Sequence, residues 1–254
     1  MPPSLRGSFR SSKVPSVDVA FWVLKILSTA MGEATSDYFV HRFSPELAVL
    51  CAGVVFAVVL WWQMRATTYR AFTYWSAVVM VSVFGTMCAD VVHVALGVPY
   101  AVSAIAFAAL LTGVFVSWYV VEGTLSIHSI VTTRRELFYW TTVTVTFALG
   151  TAVGDLTAYT ANLGFLKSGI LFAGLIALPA LLFAVLRAPA VVWFWCAYVI
   201  TRPLGASFAD WFGKAKSFGA LGWGSGSVAL VLSGVIVLGV AFVATRDRRI
   251  TIWR

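Results

Sequence analysis

Four aspartates recur in one local pattern. The segments 22–37, 75–90, 140–155 and 195–210 read WVLKILSTAMGEATSD, WSAVVMVSVFGTMCAD, WTTVTVTFALGTAVGD and WCAYVITRPLGASFAD. All four obey W-x9-G-x4-D, which aligns Trp22, Trp75, Trp140 and Trp195, then Gly32, Gly85, Gly150 and Gly205, then Asp37, Asp90, Asp155 and Asp210. The residue before each Asp is small: Ser36, Ala89, Gly154 and Ala209. A carboxylate repeated in this way, with Glu33 beside the first copy, can hold a cation, take up a proton or pair with a base. Asp37 and His41 are four apart and Asp90 and His93 three apart, so each pair places a carboxylate and an imidazole on one helical face. That combination suits transition-metal ligation or proton relay. Such spacings are common, and histidines solvated near a loop are the plainer reading. Lys25 and Arg202 are the bases inside the same segments, fit to tune the carboxylates or to lock a gate.

The elements that must carry these groups follow from composition. The chain has 254 residues, 60% hydrophobic and only 11% charged, whereas a soluble domain carries about 25% charged residues. Apolar blocks such as 47–62, 102–121 and 228–243 match the hydrocarbon thickness of a bilayer. The net charge of +8 therefore orients helices and does not point to nucleic acid. Predicted spans are 19–40 and 47–64, 71–94 and 100–121, 137–160 and 168–186, 189–212 and 225–245, with turn residues such as Phe43-Ser44-Pro45 and Gly97-Val98-Pro99 between them. The expected fold is an all-α polytopic membrane protein with eight transmembrane helices as four parallel two-helix repeats: 19–64, 71–121, 137–186 and 189–245. A basic tail (1–18) precedes this single membrane domain (19–245), and a second tail (246–254) comes after it.

Lys and Arg set the orientation. Twelve lie in the tails and inter-repeat linkers (Arg6, Arg10, Lys13, Arg65, Arg70, Arg134, Arg135, Arg187, Arg246, Arg248, Arg249 and Arg254), and four lie in the loops within repeats (Arg42, Lys167, Lys214 and Lys216). The positive-inside rule then puts both termini in the cytosol of a multi-pass protein of a bacterial inner membrane. Fifteen helical positions span ~22 Å, so the tryptophans stand near the cytosolic face and the aspartates in the outer half of the bilayer. The tryptophans are expected as an interfacial aromatic belt, and the glycines as points of close helix approach. Cys51, Cys88 and Cys196 lie in apolar blocks without metal spacing and read as packing residues.

The fourfold pattern, with phrases such as GVPYAVS, EGTLSIHSI, RRELFYW, ALGTAVGDLTAYT and TRPLGASFADW, resembles a family of bacterial membrane-anchored proteins built from four tandem copies of a repeat of unknown function. The resemblance runs from about Val14 to the last helix. It implies two transmembrane segments and a Trp per copy, and brings no substrate or mechanism.

Function must come from the residues. An aspartate in mid-helix costs ~2.5–3.5 kcal/mol on insertion scales, and half of the ten acidic residues lie inside predicted spans. Five acids against Lys25 and Arg202 leave a surplus that protons, water or a bound cation must offset. The expectation is a transporter or exporter of a small cation, a divalent metal coupled to protons being one form of it. The repeat aspartates and Glu33 would line its site as a ring or two paired sites, and His41 and His93 would add ligands. A cation channel, and a non-transporting scaffold or sensor acting through the 122–136 linker, remain alternatives. A purely structural role for the aspartates stands beside them. No Walker loop, HExxH or GxSxG occurs, so no enzyme is expected. The expected partners are the bilayer and the cation. A homo-oligomer stays open, and no cofactor is expected beyond a bound divalent ion.

Overall fold

A computed structural model describes residues 12–186 and 189–252. Arg6, Arg10, Arg187 and Arg254 of the charge tally lie outside the described residues, as do the side chains of Arg248 and Arg249. The described residues form eight long helices and no strand. They are α1 (Val19–Arg42), α2 (Pro45–Arg65), α3 (Ala71–Asp90), α4 (Tyr100–Glu122), α5 (Thr133–Asp155), α6 (Gly164–Leu186), α7 (Ala190–Gly213) and α8 (Ser225–Ile252). Local chemistry fixes several ends. Asp18 caps α1 by accepting from the Phe21 amide, Pro45 opens α2, and Gly123 closes α4 at φ 69°. The α5 helix starts four residues ahead of the predicted span because Thr132 caps it. Two π-helical turns, Val91–Ala95 and Leu156–Thr160, come directly after Asp90 and Asp155, and no residue preference announces them.

Five helical stretches are long and apolar enough to cross a membrane: Pro45–Arg65, Ala71–His93, Tyr100–Glu122, Thr133–Thr160 and Ser225–Asp247. The α6 helix adds a shorter apolar stretch, Gly164–Pro179. The α1 and α7 helices are not among them, and they carry buried Lys25, Glu33, Arg202 and Asp210. The protein is thus polar within and apolar without. Ile105, Val120, Leu230 and Leu238 on the outer helices are each 71–76% exposed. Such an inverted surface belongs in lipid, where an exposed apolar face costs nothing.

The first helices of the copies, α1, α3, α5 and α7, form a closed inner ring in that order. The outer helices do not pack mainly on their own partners. Instead α2 lies against α3, α4 against α5, α6 against α7, and α8 returns to α1. Each two-helix unit therefore embraces the next, and the four units close head to tail about a pseudo-fourfold axis.

Glycine register sets this ring. A methyl group at Gly32 would overlap Ser82; one at Gly85 would meet Phe147; one at Gly150, Arg202; one at Gly205, Thr29. Thr29, Ser82, Phe147 and Arg202 all stand seven residues after the repeat Trp. One rule thus builds every inner contact: the glycine of each copy receives position seven of the following copy. Where position seven is a hydroxyl, it also donates to the neighbouring backbone, Ser82 to Ser28 O at 2.9 Å and Thr29 to Thr201 O at 3.2 Å.

Aromatic side chains fill the Trp end of the ring. Trp75, Trp140 and Trp195 are buried and only Trp22 is partly exposed, so they form an internal aromatic plug and not the expected lipid-facing belt. Their neighbours Tyr74 and Tyr139 join hydroxyls at 2.5 Å. Trp195 Nε1 donates to Leu125 O of the 122–136 linker. That linker buries Ile127 and Ile130, while Lys13 pairs with buried Glu136 at 2.6 Å and donates to Met64 O. Indole rings satisfy their large apolar area here by packing on each other, which a four-copy ring permits and a single helix does not.

The glycine rule has a measurable consequence. Gly32→Ala should destabilise the protein by ~1–3 kcal/mol through overpacking, read as a lower unfolding midpoint in detergent. Gly113→Ala, with open space at its Cα, should leave the midpoint unchanged. Equal midpoints for the two variants would refute the register.

Candidate cation site

Above the glycines, position eleven after each Trp holds Glu33, Thr86, Thr151 and Ala206. Arg202, 1% exposed, reaches from one turn below in α7 to the other three copies. Its Nη2 donates to Glu33 Oε2 at 2.7 Å and Thr151 Oγ1 at 2.7 Å, and it also bonds Thr86 Oγ1. Both threonine hydroxyls donate to their own helix, Thr86 to Ser82 O and Thr151 to Phe147 O, which leaves lone pairs for the guanidinium. One cation thus ties four repeats together at a single level. Lys25 lies below it with no hydrogen-bond partner on Nζ, over the rings of Phe147 (4.0 Å) and Tyr198 (4.3 Å).

Position fifteen gathers the aspartates in two groups. Glu33, Asp37 and Asp210 offer ligand atoms within 4.8 Å of one another, and so do Asp90, His93 and Asp155. The ligand atoms thus fall into two groups of three. Lys214, just beyond α7, lies 3.1 Å from Asp37 Oδ2 and 3.6 Å from Asp210 Oδ1. Burial works against the Lys214 charge, but Asp210 and then Asp37 outweigh it and raise its pKa above the usual lysine value. In the other group, Ser36 Oγ donates to Asp90 Oδ2 at 3.3 Å, and His93 Nδ1 stands 3.8 Å from Asp155 Oδ2.

The carboxylate level opens into a cavity of about 840 Å³ lined by Asp37, His41, Tyr159, Lys214 and Ser225. Water and ions therefore reach the Asp37 side from the end of the ring opposite the tryptophans. Tyr100 packs edge-on to His93 and stacks on Tyr159, which roofs the Asp90 side with aromatic rings.

The ring corrects several expectations. Arg202 pairs with Glu33, not with an aspartate, because position seven points its side chain up to position eleven of the ring. Lys25 meets no carboxylate among the described residues. It sits below them, where the opposite copy presents Phe147 and the adjacent fourth copy presents Tyr198. His41 is exposed, with Nδ1 2.7 Å from the Asp37 carbonyl oxygen; it lines the cavity and joins neither ligand group. His93 instead meets the carboxylate of the third copy as well as that of its own. The sequence places Lys214 in one row with Tyr198, Arg202 and Asp210, and Thr86 and Thr151 near the aspartates, but it marks none of them as a site residue, nor Ser103. Aligning the four copies in columns sets the threonines level with Glu33, and the i, i+4 step from Asp210 brings Lys214 to the carboxylates.

The family described as a repeat of unknown function (DUF347) matches residues 20–69, 73–124, 138–188 and 193–249. The chain belongs to the DUF347 repeat family. No curated protein and no solved structure matches it. The four DUF347 repeats coincide with the four helix pairs, so the ring is built of one inner and one outer helix from each.

Removing one partner of a buried ion pair leaves an uncompensated charge and costs about 3–5 kcal/mol. Arg202→Met should lower stability by that amount, and Arg202→Met with Glu33→Leu should recover most of it. Unfolding in mixed micelles, followed by Trp fluorescence, measures both. A double variant no more stable than the single one would dismiss the latch.

Proposed function

We propose that this protein carries small cations across a bacterial inner membrane through the carboxylates gathered on its axis. Its bilayer topology is read as eight crossings with both termini cytosolic. The Trp end, where Lys13, Arg65, Arg70, Arg134 and Arg135 lie, then faces the cytosol, and the cavity faces the periplasm. The α1, α6 and α7 helices cross with the others because the ring shields the polar groups of α1 and α7 from lipid. The bilayer and the cation are the partners of this reading.

One observation carries it. All five carboxylates of the spans meet in two groups within two adjacent layers, beside an open cavity, over an end filled with aromatic rings. A structural role would be met by one donor per carboxylate. Here Arg202 and Lys214 are the only Lys or Arg side chains among the described residues that form ion pairs with the five, which leaves net negative charge in a low-dielectric setting. A mobile cation, or protons in its absence, balances that charge.

The steps follow from position. A cation enters through the cavity, where its attraction to Asp37 and Asp210 competes with Lys214. Further passage is blocked by Arg202, whose guanidinium bridges Glu33, Thr86 and Thr151 across the ring, with the Lys25 side chain below it. Carriage therefore needs Arg202 to release Glu33, Thr86 and Thr151, and the aromatic plug to part. Access on one side with closure on the other supports stepwise carriage over an open pore.

The test is uptake by proteoliposomes of Na⁺, K⁺, Mn²⁺ and Co²⁺, with internal pH recorded. Wild-type protein should move at least one of these ions. Asp37→Asn, Asp90→Asn, Asp155→Asn and Asp210→Asn should each slow uptake by about tenfold or more, equivalent to ~1.4 kcal/mol of lost interaction. Uptake unaffected by all four changes would reject the proposal.

A further inference from the structure

The two halves of the carboxylate level are not chemically alike. Around Glu33, Asp37 and Asp210 the ammonium of Lys214 is already in place. Around Asp90 and Asp155 no Lys or Arg ion pair occurs among the described residues, and an imidazole enters instead. The π-helical turns account for the difference. They occur after Asp90 and Asp155, in the copies that build this half, whereas α1 and α7 continue as α-helix past Asp37 and Asp210. The extra residue in a π-turn rotates the chain beyond it, and such turns concentrate at functional sites. Here the turn brings His93 to within reach of Asp155 across the ring.

The protonation of His93 is set by its neighbour. Its Nε2 lies 2.7 Å from Ser103 Oγ. The backbone offers the single hydroxyl proton of Ser103 an acceptor, Tyr100 O at 3.0 Å or Pro99 O at 3.4 Å, and a proton placed there fixes the other contact. Ser103 can then only accept from the imidazole, so Nε2 carries hydrogen and Nδ1 presents a lone pair. Nδ1 is buried without a hydrogen-bond partner, and the His93 side chain is 2% exposed. Its separation from Asp155 Oδ2, 3.8 Å, is too long for a direct N–H···O bond. An ion about 2.1 Å from two donors places those donors roughly 3.0–4.2 Å apart, for ligand angles from a right angle to a straight line. The gap fits a shared ion better than a shared proton.

From this geometry we infer that Asp90, His93 and Asp155 bind one divalent transition-metal ion, with Ser103 as the positioning residue. The mixed donor set decides the class of ion. Imidazole with carboxylates suits manganese, iron, cobalt or zinc, while Mg²⁺ and Ca²⁺ take oxygen ligands. The Ser103 hydroxyl holds the outer ring nitrogen, the place that a carboxylate, backbone carbonyl or water takes beside a metal-bound histidine. The ammonium of Lys214 already stands between Asp37 and Asp210 in the opposite half and repels a second cation there, so the chain takes one such ion, not two. As a statement about cargo, this rests on the transport reading above; as a binding site, it stands by itself.

The test uses full-length protein in detergent, stripped with a chelator and titrated with Co²⁺. Wild type should bind one Co²⁺ per chain with a visible ligand-field spectrum, undisturbed by ~100-fold excess Mg²⁺. Ser103→Ala should weaken binding ~10–100-fold, and His93→Gln and Asp155→Asn at least as much. His128→Gln should bind like wild type. Should His93→Gln fail to fold, Cu²⁺ bound to wild type supplies a second readout, because one imidazole nitrogen must split its electron paramagnetic resonance lines. Absence of Co²⁺ binding, unaltered binding in His93→Gln and Asp155→Asn, or a Cu²⁺ spectrum without nitrogen coupling would overturn the inference. Loss of this site with Na⁺ or K⁺ uptake intact leaves the transport reading standing and removes only the metal. Histidine-dependent Co²⁺ binding without any ion uptake keeps the site and removes the transport.

Discussion

A carboxylate in hydrocarbon is unstable unless something positive or hydrogen-bonding stands beside it, and this fold is arranged around five of them. The solution is collective. A single helix bearing Glu33 and Asp37 would expose both to lipid, and so would its repeats with Asp90, Asp155 and Asp210. Closing α1, α3, α5 and α7 into a ring turns every one of these groups inward, and α2, α4, α6 and α8 cover the outside with apolar surface. Polar interior and apolar exterior are thus one requirement met by one closure.

The ring is possible because the glycines remove a side chain where each inner helix meets the next. Gly32, Gly85, Gly150 and Gly205 receive Ser82, Phe147, Arg202 and Thr29 in turn. Duplication supplied four identical seats, and divergence at position seven gave each a different occupant. Two hydroxyls tie backbones together, a phenyl ring fills space, and a guanidinium spans the axis. Arg202 shows how one substitution in a repeat can serve all four copies, since its partners Glu33 and the two threonines occupy the same position of the other repeats.

Symmetry is then broken where chemistry is needed. Copies one and four keep α-helical ends and borrow Lys214 as a tethered cation; copies two and three insert π-turns and bring in His93. A half that carries its own positive charge thus stands beside a half that lacks one, and the two sides of the axis differ in charge.

The sequence by itself determined the all-helical build, the four copies, the glycines of the inner contacts and the acidic residues within the spans. These are legible because hydrophobic blocks and a repeated W-x9-G-x4-D are properties of the chain alone. Only the tertiary structure decided which residues of different copies meet. Spacing along one helix placed His41 with Asp37, yet the ring brings His93 to Asp155, a residue of the next copy. It likewise paired Arg202 with Glu33, left Lys25 among rings, and turned the tryptophans from a supposed belt into a plug. The reason is physical: helical periodicity fixes which face a side chain shares, while the partner across that face depends on ring closure and on a π-turn that no local residue preference announces.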